Sequence, residues 1–260
     1  MKRTRSRKEV RQTQILASLE ANPTLRVNQL AEQLDVSTET IRRDLSELDQ
    51  IGRLSRTYGG AVSNGVRFEP ALTDRLSLHV HERQAIAHAA MERFGKTETM
   101  LLGGGATMLH FARALRETQQ RHTIITPAYQ IAVELSANPL IEIMLLPGVF
   151  EAQERIVYGP ETIRALDRFR ADVVLIGASG LAPSGVSEAM LQVGEVYSEM
   201  LRHAERSVVL ADHSKFGKRA LMLLSGWTRH MTLVTDRAPD PELKRAVREA
   251  GAEIILPNKL

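Results

Sequence analysis

Two adjacent arginines, Arg42 and Arg43, lie in the stretch Ser37-Thr38-Glu39-Thr40-Ile41-Arg42-Arg43-Asp44-Leu45-Ser46-Glu47-Leu48-Asp49. A guanidinium can make paired hydrogen bonds to a guanine edge or to a phosphate, so two of them on one helix face suit a nucleic-acid partner. Thr38, Glu39 and Ser46 share their side of the segment. Ile41, Leu45 and Leu48 recur at i, i+4 and i+7 on the other side, which is the spacing of an amphipathic helix with one buried stripe. Ser37 suits the N-cap, because its hydroxyl can accept from an orphan backbone N–H of the first turn. A full capping box would place Glu or Gln at position 40, where this chain has Thr40. Gly52 stands where a helix stop is expected.

A second group of residues could hold an anion. Gly103-Gly104-Gly105-Ala106-Thr107 follows an apolar run and opens a helical pattern. Glycines let backbone N–H groups approach a phosphate, and a helix N-terminus adds a positive dipole end. Three glycines can equally mark a tight strand-to-helix turn, and neither a P-loop nor a GxGxxG fingerprint is present. Gly148, Gly180 and the stretch Asp212-His213-Ser214-Lys215 also sit at or just beyond the ends of apolar runs. Lys215 is a compact cation suited to a phosphate or carboxylate. Asp212 could accept from hydroxyl groups.

These residues need elements to position them. Val27 to Leu34 reads as a short amphipathic helix, and Asp35-Val36-Ser37 as a tight turn plugged by Val36. Helix, turn and capped helix with paired arginines make a helix-turn-helix, whose second helix enters the major groove. Leu54 to Ala61 reads as a β-wing that brings Arg56 and Tyr58 beside the groove. Glu9 to Ala21 is the preceding helix, with Val10, Ile15, Leu16 and Leu19 available to pack beneath the recognition helix. Residues 63–75 have linker composition, and Leu76 to Arg93 reads as a further helix.

From Thr99 short apolar runs alternate with amphipathic segments. The runs centre on residues 100–102, 123–126, 141–146, 173–176, 207–211, 232–235 and 253–256. Helical patterns fall at 107–117, 128–137, 161–167, 194–204 and 241–250. Buried strands alternating with helices predict an α/β fold, a mostly parallel sheet with helices on both faces, in which ligands bind beyond the C-terminal strand ends. The expected organisation is a winged helix-turn-helix at 1–62, a linker at 63–75 and an effector-binding α/β domain at 76–260.

Composition narrows the partners. The formal charge of the 260-residue chain is +3, and there is no cysteine. The first 60 residues hold 11 Lys/Arg against 8 Asp/Glu and the remainder 23 of each, so the excess lies in the DNA-reading part. Lys2, Arg3, Arg5, Arg7, Lys8 and Arg11 crowd the N-terminus. A phosphate-contacting arm is favoured over a solvated tail, since counterion release rewards clustered cations on DNA. The absence of thiols excludes disulfides and cysteine-based zinc sites and suits a cytoplasmic protein. No apolar run is long enough for a membrane helix. His79 and His81 lack carboxylates at metal-ligand spacing and read as surface histidines, so no metal and no cofactor are expected. His213 beside Ser214 is no triad, and Trp227 is expected to pack.

The ordered matches Leu30-Ala31-Glu32, Val36-Ser37, Thr40-Ile41-Arg42-Arg43-Asp44-Leu45, Leu48, Gly52, Leu54, Arg56 and Tyr58-Gly59-Gly60-Ala61 resemble the winged helix of the DeoR family of bacterial sugar-operon regulators. The glycine loops and Asp212-His213-Ser214-Lys215-Phe216-Gly217 are similar to that family's sensor domain, a Rossmann-like fold related to ribose-5-phosphate isomerase. The resemblance implies that Gly105 and Thr107 belong to a phosphate loop, flanked by Gly103, Gly104, Ala106, Gly148 and Gly180. It implies that Asp212, Ser214 and Lys215 line the sugar side. The chain departs from the family's pattern at Gly103 and Ser179, where acids are usual, at Ala106, where a hydroxyl is usual, and at Pro127, where Asn is usual. Two missing acids suggest a more anionic ligand, such as a sugar acid or bisphosphate. The acid after the Gly180 turn is Glu188 or Glu195, with Glu195 taken for the site. The expectation is a homo-oligomeric repressor of a carbohydrate-catabolic operon that binds operator DNA and a phosphorylated sugar or sugar acid. The rivals are an isomerase fused to a DNA-binding domain and an activator without an effector.

Overall fold

The computed structural model describes residues 7–21, 27–50, 54–57, 60–63 and 72–258. The chain divides into two compact units, residues 1–70 and 71–260.

The first unit contains α1 (Arg7–Ala21), α2 (Val27–Gln33) and α3 (Thr38–Gln50), followed by β1 (Leu54–Thr57) and β2 (Gly60–Ser63) paired antiparallel. Its core is Ile15, Leu30, Ala31, Ile41, Leu45 and Leu48, with Leu16 and Val36 packed against it. The i, i+4, i+7 stripe of α3 is therefore the buried face. Val10, expected in this core, is exposed. Ser37 caps α3 as its position predicts: its Oγ accepts from the Thr40 N–H at 3.1 Å, and the Thr40 hydroxyl lies 2.8 Å away.

In the second unit the helix expected over 76–93 begins only at Val80, as α5 (Val80–Phe94), and a separate short helix, α4 (Leu72–Arg75), precedes it. His79 breaks them, with φ 51° at the position before α5. Residues 72–75, expected in the linker, are thus helical, and Leu72 is buried. There follow β3 (Thr99–Leu102), α6 (Ala106–Arg116), β4 (His122–Thr126), α7 (Tyr129–Leu135) and β5 (Ile141–Leu145). The chain continues through the hairpin β6 (Val149–Glu151) and β7 (Ile156–Tyr158), α8 (Pro160–Leu166), β8 (Ala171–Ile176), β9 (Gly180–Ala182), β10 (Gly185–Glu188) and α9 (Leu191–Arg202). It ends with β11 (Ala204–Leu210), a 3₁₀ turn at His213–Lys215, β12 (Met222–Ser225), β13 (Met231–Val234), α10 (Pro241–Glu249) and β14 (Glu253–Ile255).

Seven strands form one parallel sheet in the order β14-β13-β11-β8-β3-β4-β5. Alternate residues serve opposite faces, as the pleat requires. Met100 and Leu102 pack with Ile86, Ala90, Met108 and Phe111 from α5 and α6, whereas Leu101 packs with Val196, Tyr197 and Met200 from α9. Short apolar runs with branched residues are what strands buried on both faces look like in sequence. The smaller antiparallel sheet β12-β10-β9 and the β6–β7 hairpin were not foreseen. Trp227 packs as expected and donates its indole N–H to the Ala182 carbonyl at 2.9 Å. Among the described residues no helix is long and apolar enough to cross a membrane.

Candidate functional site

The first unit offers the exposed face of α3. Glu39, Arg42 and Arg43 are exposed, and Thr38 and Ser46 are half-buried. The Arg42 side chain is 60% exposed and only loosely paired with Glu39 at 3.9 Å. Ser37, Thr38, Glu39, Arg42, Arg43 and Ser46 are therefore brought together on one helix. The other face is anchored by charge. Asp44 is buried, accepts from Arg11 Nε at 2.5 Å and is reached by Gln12 at 3.4 Å. Lys8 lies 2.6 Å from Glu47 and holds the Glu47 carboxyl below its ordinary range. Lys8 and Arg11, read from sequence as part of a basic arm, thus clamp α1 to α3 instead. Residues 1–6 lie outside the described residues. Arg56 lies in β1 opposite Ala61, while Tyr58 falls outside the described residues.

In the second unit the chain order fixes where a ligand can sit. Starting from β3 inside the sheet, the chain winds outward through β4 and β5, then returns to β8 on the other side of β3. The crevice beyond the C-terminal ends of β3 and β8 is the topological switch point, the usual ligand position in open parallel sheets. The loop Gly103–Gly105 leaves β3 there, with the Gly103 N–H bonded to the Leu175 carbonyl at 2.9 Å. Gly103 packs inward: an added Cβ would lie 3.1 Å from the Tyr197 ring. The Gly104 N–H donates to the Tyr197 hydroxyl at 2.8 Å. Gly105 has φ 101° and is the N-cap of α6, with no side-chain cap. Asp240, by contrast, caps α10 through Glu242 and Leu243 N–H groups. The first turn of α6, with buried Ala106 and half-buried Thr107, therefore has donors for an anion that α10 satisfies itself.

Charged side chains from distant segments converge on this loop. Arg75 Nη1 lies 3.9 Å from where a Gly105 Cβ would be. Arg75 is ion-paired with Glu154, which the β6–β7 hairpin carries. That hairpin is held to the end of β4 by the Val157 N–H on the Pro127 carbonyl at 2.8 Å and the Tyr129 N–H on Arg155 at 3.0 Å. Arg83 donates to the Arg75 carbonyl and, through Nε at 3.2 Å, to Asp212. Burial and the charges of Glu188 and Glu154 push the Tyr197 hydroxyl far up, so it stays protonated.

Asp212 is fully buried and Arg83 nearly so, at 0% and 3% exposure. Burial acts to raise the Asp212 carboxyl, but hydrogen bonding from Ser214 and the Arg83 charge outweigh it and hold it below its ordinary range. Its Oδ1 accepts from the Ser214 N–H at 3.0 Å. Asp212 thus organises the turn that presents Ser214 and half-buried Lys215, and is not open to a sugar hydroxyl as the sequence reading had it.

Two further expectations need correction. Glu195 is exposed on α9. Glu188 is the acid that follows the Gly180 turn, accepting from Ser179 Oγ at 2.9 Å and from the Ala189 and Met190 N–H groups at 2.8 and 3.1 Å. Gly180 is buried against the Lys218 carbonyl, 2.5 Å from an added Cβ, and Gly148 against Thr162 Oγ1, 2.2 Å away. Both are close-approach glycines of the scaffold. Arg75, Arg83, Glu154 and Tyr197 were missed by sequence reasoning; only the Arg83 position in an Ala-rich helix, a cation where small apolar residues pack, held a signal.

A winged helix with an exposed arginine face, joined in one chain to an α/β unit with an anion-suited switch point, defines a DNA-binding regulator with a sensor domain. The comparisons give the family. Residues 11–66 match the model of the DeoR-like helix-turn-helix domain and residues 78–237 that of the DeoR C-terminal sensor domain. The chain belongs to the DeoR family. It is 29% identical to the HTH-type transcriptional repressor CsqR of Escherichia coli (strain K12), over 96% of this chain and 95% of that protein. It is 28% identical to the lactose phosphotransferase system repressor of Streptococcus mutans serotype c, over 92% and 96%. Among solved structures it is similar to a D-ribose-5-phosphate isomerase in complex with phospho-erythronic acid, with TM-score 0.38, 17% identity and 52% of each chain covered. The relatives matched along their whole length are named transcriptional regulators and not enzymes.

Proposed function

We propose that this protein is a cytoplasmic repressor of a carbohydrate-catabolic operon, released from its operator by a phosphorylated sugar or sugar acid. Arg42 and Arg43 contact bases or phosphates in the major groove, with Ser37, Thr38, Glu39 and Ser46 beside them and Arg56 and Tyr58 on the wing. The protein acts as a homo-oligomer, because two recognition helices are needed to span half-sites about one turn of DNA apart. The anionic end of the effector sits on the first turn of α6, at Gly105, Ala106 and Thr107, with Arg75, Ser214 and Lys215 around it.

The observation that carries this reading is the uncapped N-terminus of α6 at the switch point, with the Arg75 guanidinium beside it. A ligand shifts operator affinity only by its unequal affinity for two states of the protein. The test is an anisotropy titration on DNA upstream of the protein's own gene and its neighbours, at fixed salt, with and without a panel of sugar phosphates and sugar acids. Tight binding released by one compound is expected. Binding indifferent to every compound would remove the effector half of the proposal. No sequence-specific binding would remove the whole of it.

A further inference from the structure

The sequence reading takes His79 as a surface histidine and His213 as a pocket or loop-capping residue outside any triad, and the two stand 134 positions apart in the chain. The fold brings them together. Their rings meet edge-on with centroids 5.3 Å apart, and one ligand atom each from His79, Asp212 and His213 lie within 4.8 Å of one another. We propose that these three side chains form a binding site for a divalent transition-metal ion, with zinc the best match.

Two imidazoles and one carboxylate, with a position left for water or a ligand, are the donor set of an open zinc site. The surroundings are those a metal-bound histidine has. His213 Nδ1 lies 2.8 Å from Asp236 Oδ2, and the Asp236 carboxylate also accepts from the His213 backbone N–H at 2.7 Å. A carboxylate on Nδ1 fixes the tautomer with its lone pair on Nε2, orients the ring and raises its basicity. Asp212 is fixed as well: Arg83 engages Oδ2 and the Ser214 N–H engages Oδ1, which leaves further lone pairs on the two oxygens. Asp212 is fully buried, and an ion bonded at about 2.0 Å needs less room than a hydroxyl-bearing ligand.

His79 supplies the third ligand. It is half-buried on the turn between α4 and α5, and its backbone is held in the left-handed region at φ 51°, an uncommon conformation for a residue with a side chain. Tetrahedral ligands of zinc stand about 3.4 Å apart, so a shift of roughly an ångström in this turn closes the site. The bound ion would tie the start of the sensor unit to the loop after β11. The Arg83 charge beside Asp212 weakens attraction for a cation, which favours a reversible site over a permanent structural one. The site needs no sugar and stands apart from the effector reading.

The experiment uses the full chain without an affinity tag, stripped with a chelator and titrated calorimetrically with zinc(II), with metal content measured after gel filtration. One zinc per chain is expected. His79→Ala and His213→Ala should each weaken binding at least about tenfold, and Asp236→Asn by about tenfold through lost orientation of the ring. Thermal melts establish that the variants fold; His79→Ala, on a surface turn, tests the site even if a change at 213 or 236 unfolds the protein. His203→Ala is the control, because Asp167, Glu199 and His203 form the other such cluster among the described residues. No stoichiometric zinc, binding unchanged in folded His79→Ala, or loss confined to His203→Ala would overturn the proposal.

Discussion

The two units treat charge in opposite ways. On α3 the arginines proposed to contact DNA stand in water: Arg42 is 60% exposed and its neighbour Glu39 81%. At the sensor switch point the ionic groups are withdrawn from water and committed to one another, Arg83 to Asp212 and Arg75 to Glu154. On the proposed function, the difference follows from the size of what each unit binds. DNA is a long polyanion that comes to the surface, so its readers can remain solvated until contact and their removal costs the fold little. A small anion must be surrounded, so its readers are partly buried before it arrives, and a buried charge is tolerable only with a partner. The exception on the DNA side, Asp44 with Arg11, is structural: it lies on the inner face of α3.

The comparison breaks most visibly at Asp212. Asp212→Ala leaves Arg83 buried without its carboxylate and should destabilise the sensor unit by about 3–5 kcal/mol, read as a large drop in its melting temperature. An unchanged melt would mean the pair is not sequestered as described. Next in size are the close-approach glycines. Gly180→Ala should cost about 1–3 kcal/mol, because the Lys218 backbone must give way, and should act through stability and not through effector affinity at matched folding.

On α3 the expected pattern reverses. Arg42→Ala and Arg43→Ala should leave the melting temperature nearly unchanged while weakening operator binding. Whichever contacts a base loses about 1–3 kcal/mol and relaxes specificity at one position; a phosphate contact weakens all sequences alike and lowers the salt slope by about one. Ser37→Ala removes the cap of the same helix and should cost about 1 kcal/mol of stability in the first unit, with operator binding following.

The smallest effect concerns His110 in α6. Burial, then the charges of Arg113 and Arg83, hold its imidazole below the ordinary value of 6.5. The unfolded chain therefore takes up the proton first, so the His110 contribution is intact above pH 6.5 and declines as the pH falls below it. Melting temperatures taken at about pH 7.5 and 5.5 should drop for the natural chain and drop less for His110→Gln. Equal slopes would assign the pH dependence to other groups.

What the sequence by itself determined is what periodicity and local chemistry encode. The 3.6-residue stripe Ile41, Leu45, Leu48 placed α3 and its outward arginines, and the Ser37 hydroxyl placed its start. The apolar runs placed all seven strands of the parallel sheet, because strand segments covered on both faces must be almost wholly apolar. Local signals also put Gly105 at the start of α6 and the Asp212–Lys215 turn at a strand end. They did not separate Glu188 from Glu195, since both lie near the same turn and only side-chain direction tells them apart. They missed the antiparallel strands β9, β10 and β12, which are as short as β3, β13 and β14 but, in β9 and β10, are interrupted by Gly180, Gly185, Ser187 and Glu188 and so show no apolar run. The tertiary structure alone decided which charges meet. Arg83 and Asp212 are 129 residues apart, and Arg75 and Glu154 are 79 apart. Such pairs exist only once the strand order sets β3 between β8 and β4 and brings the α4–α5 turn and the β6–β7 hairpin to one crevice. The same long-range closure set His79 against His213, two residues whose neighbours in sequence say nothing of each other.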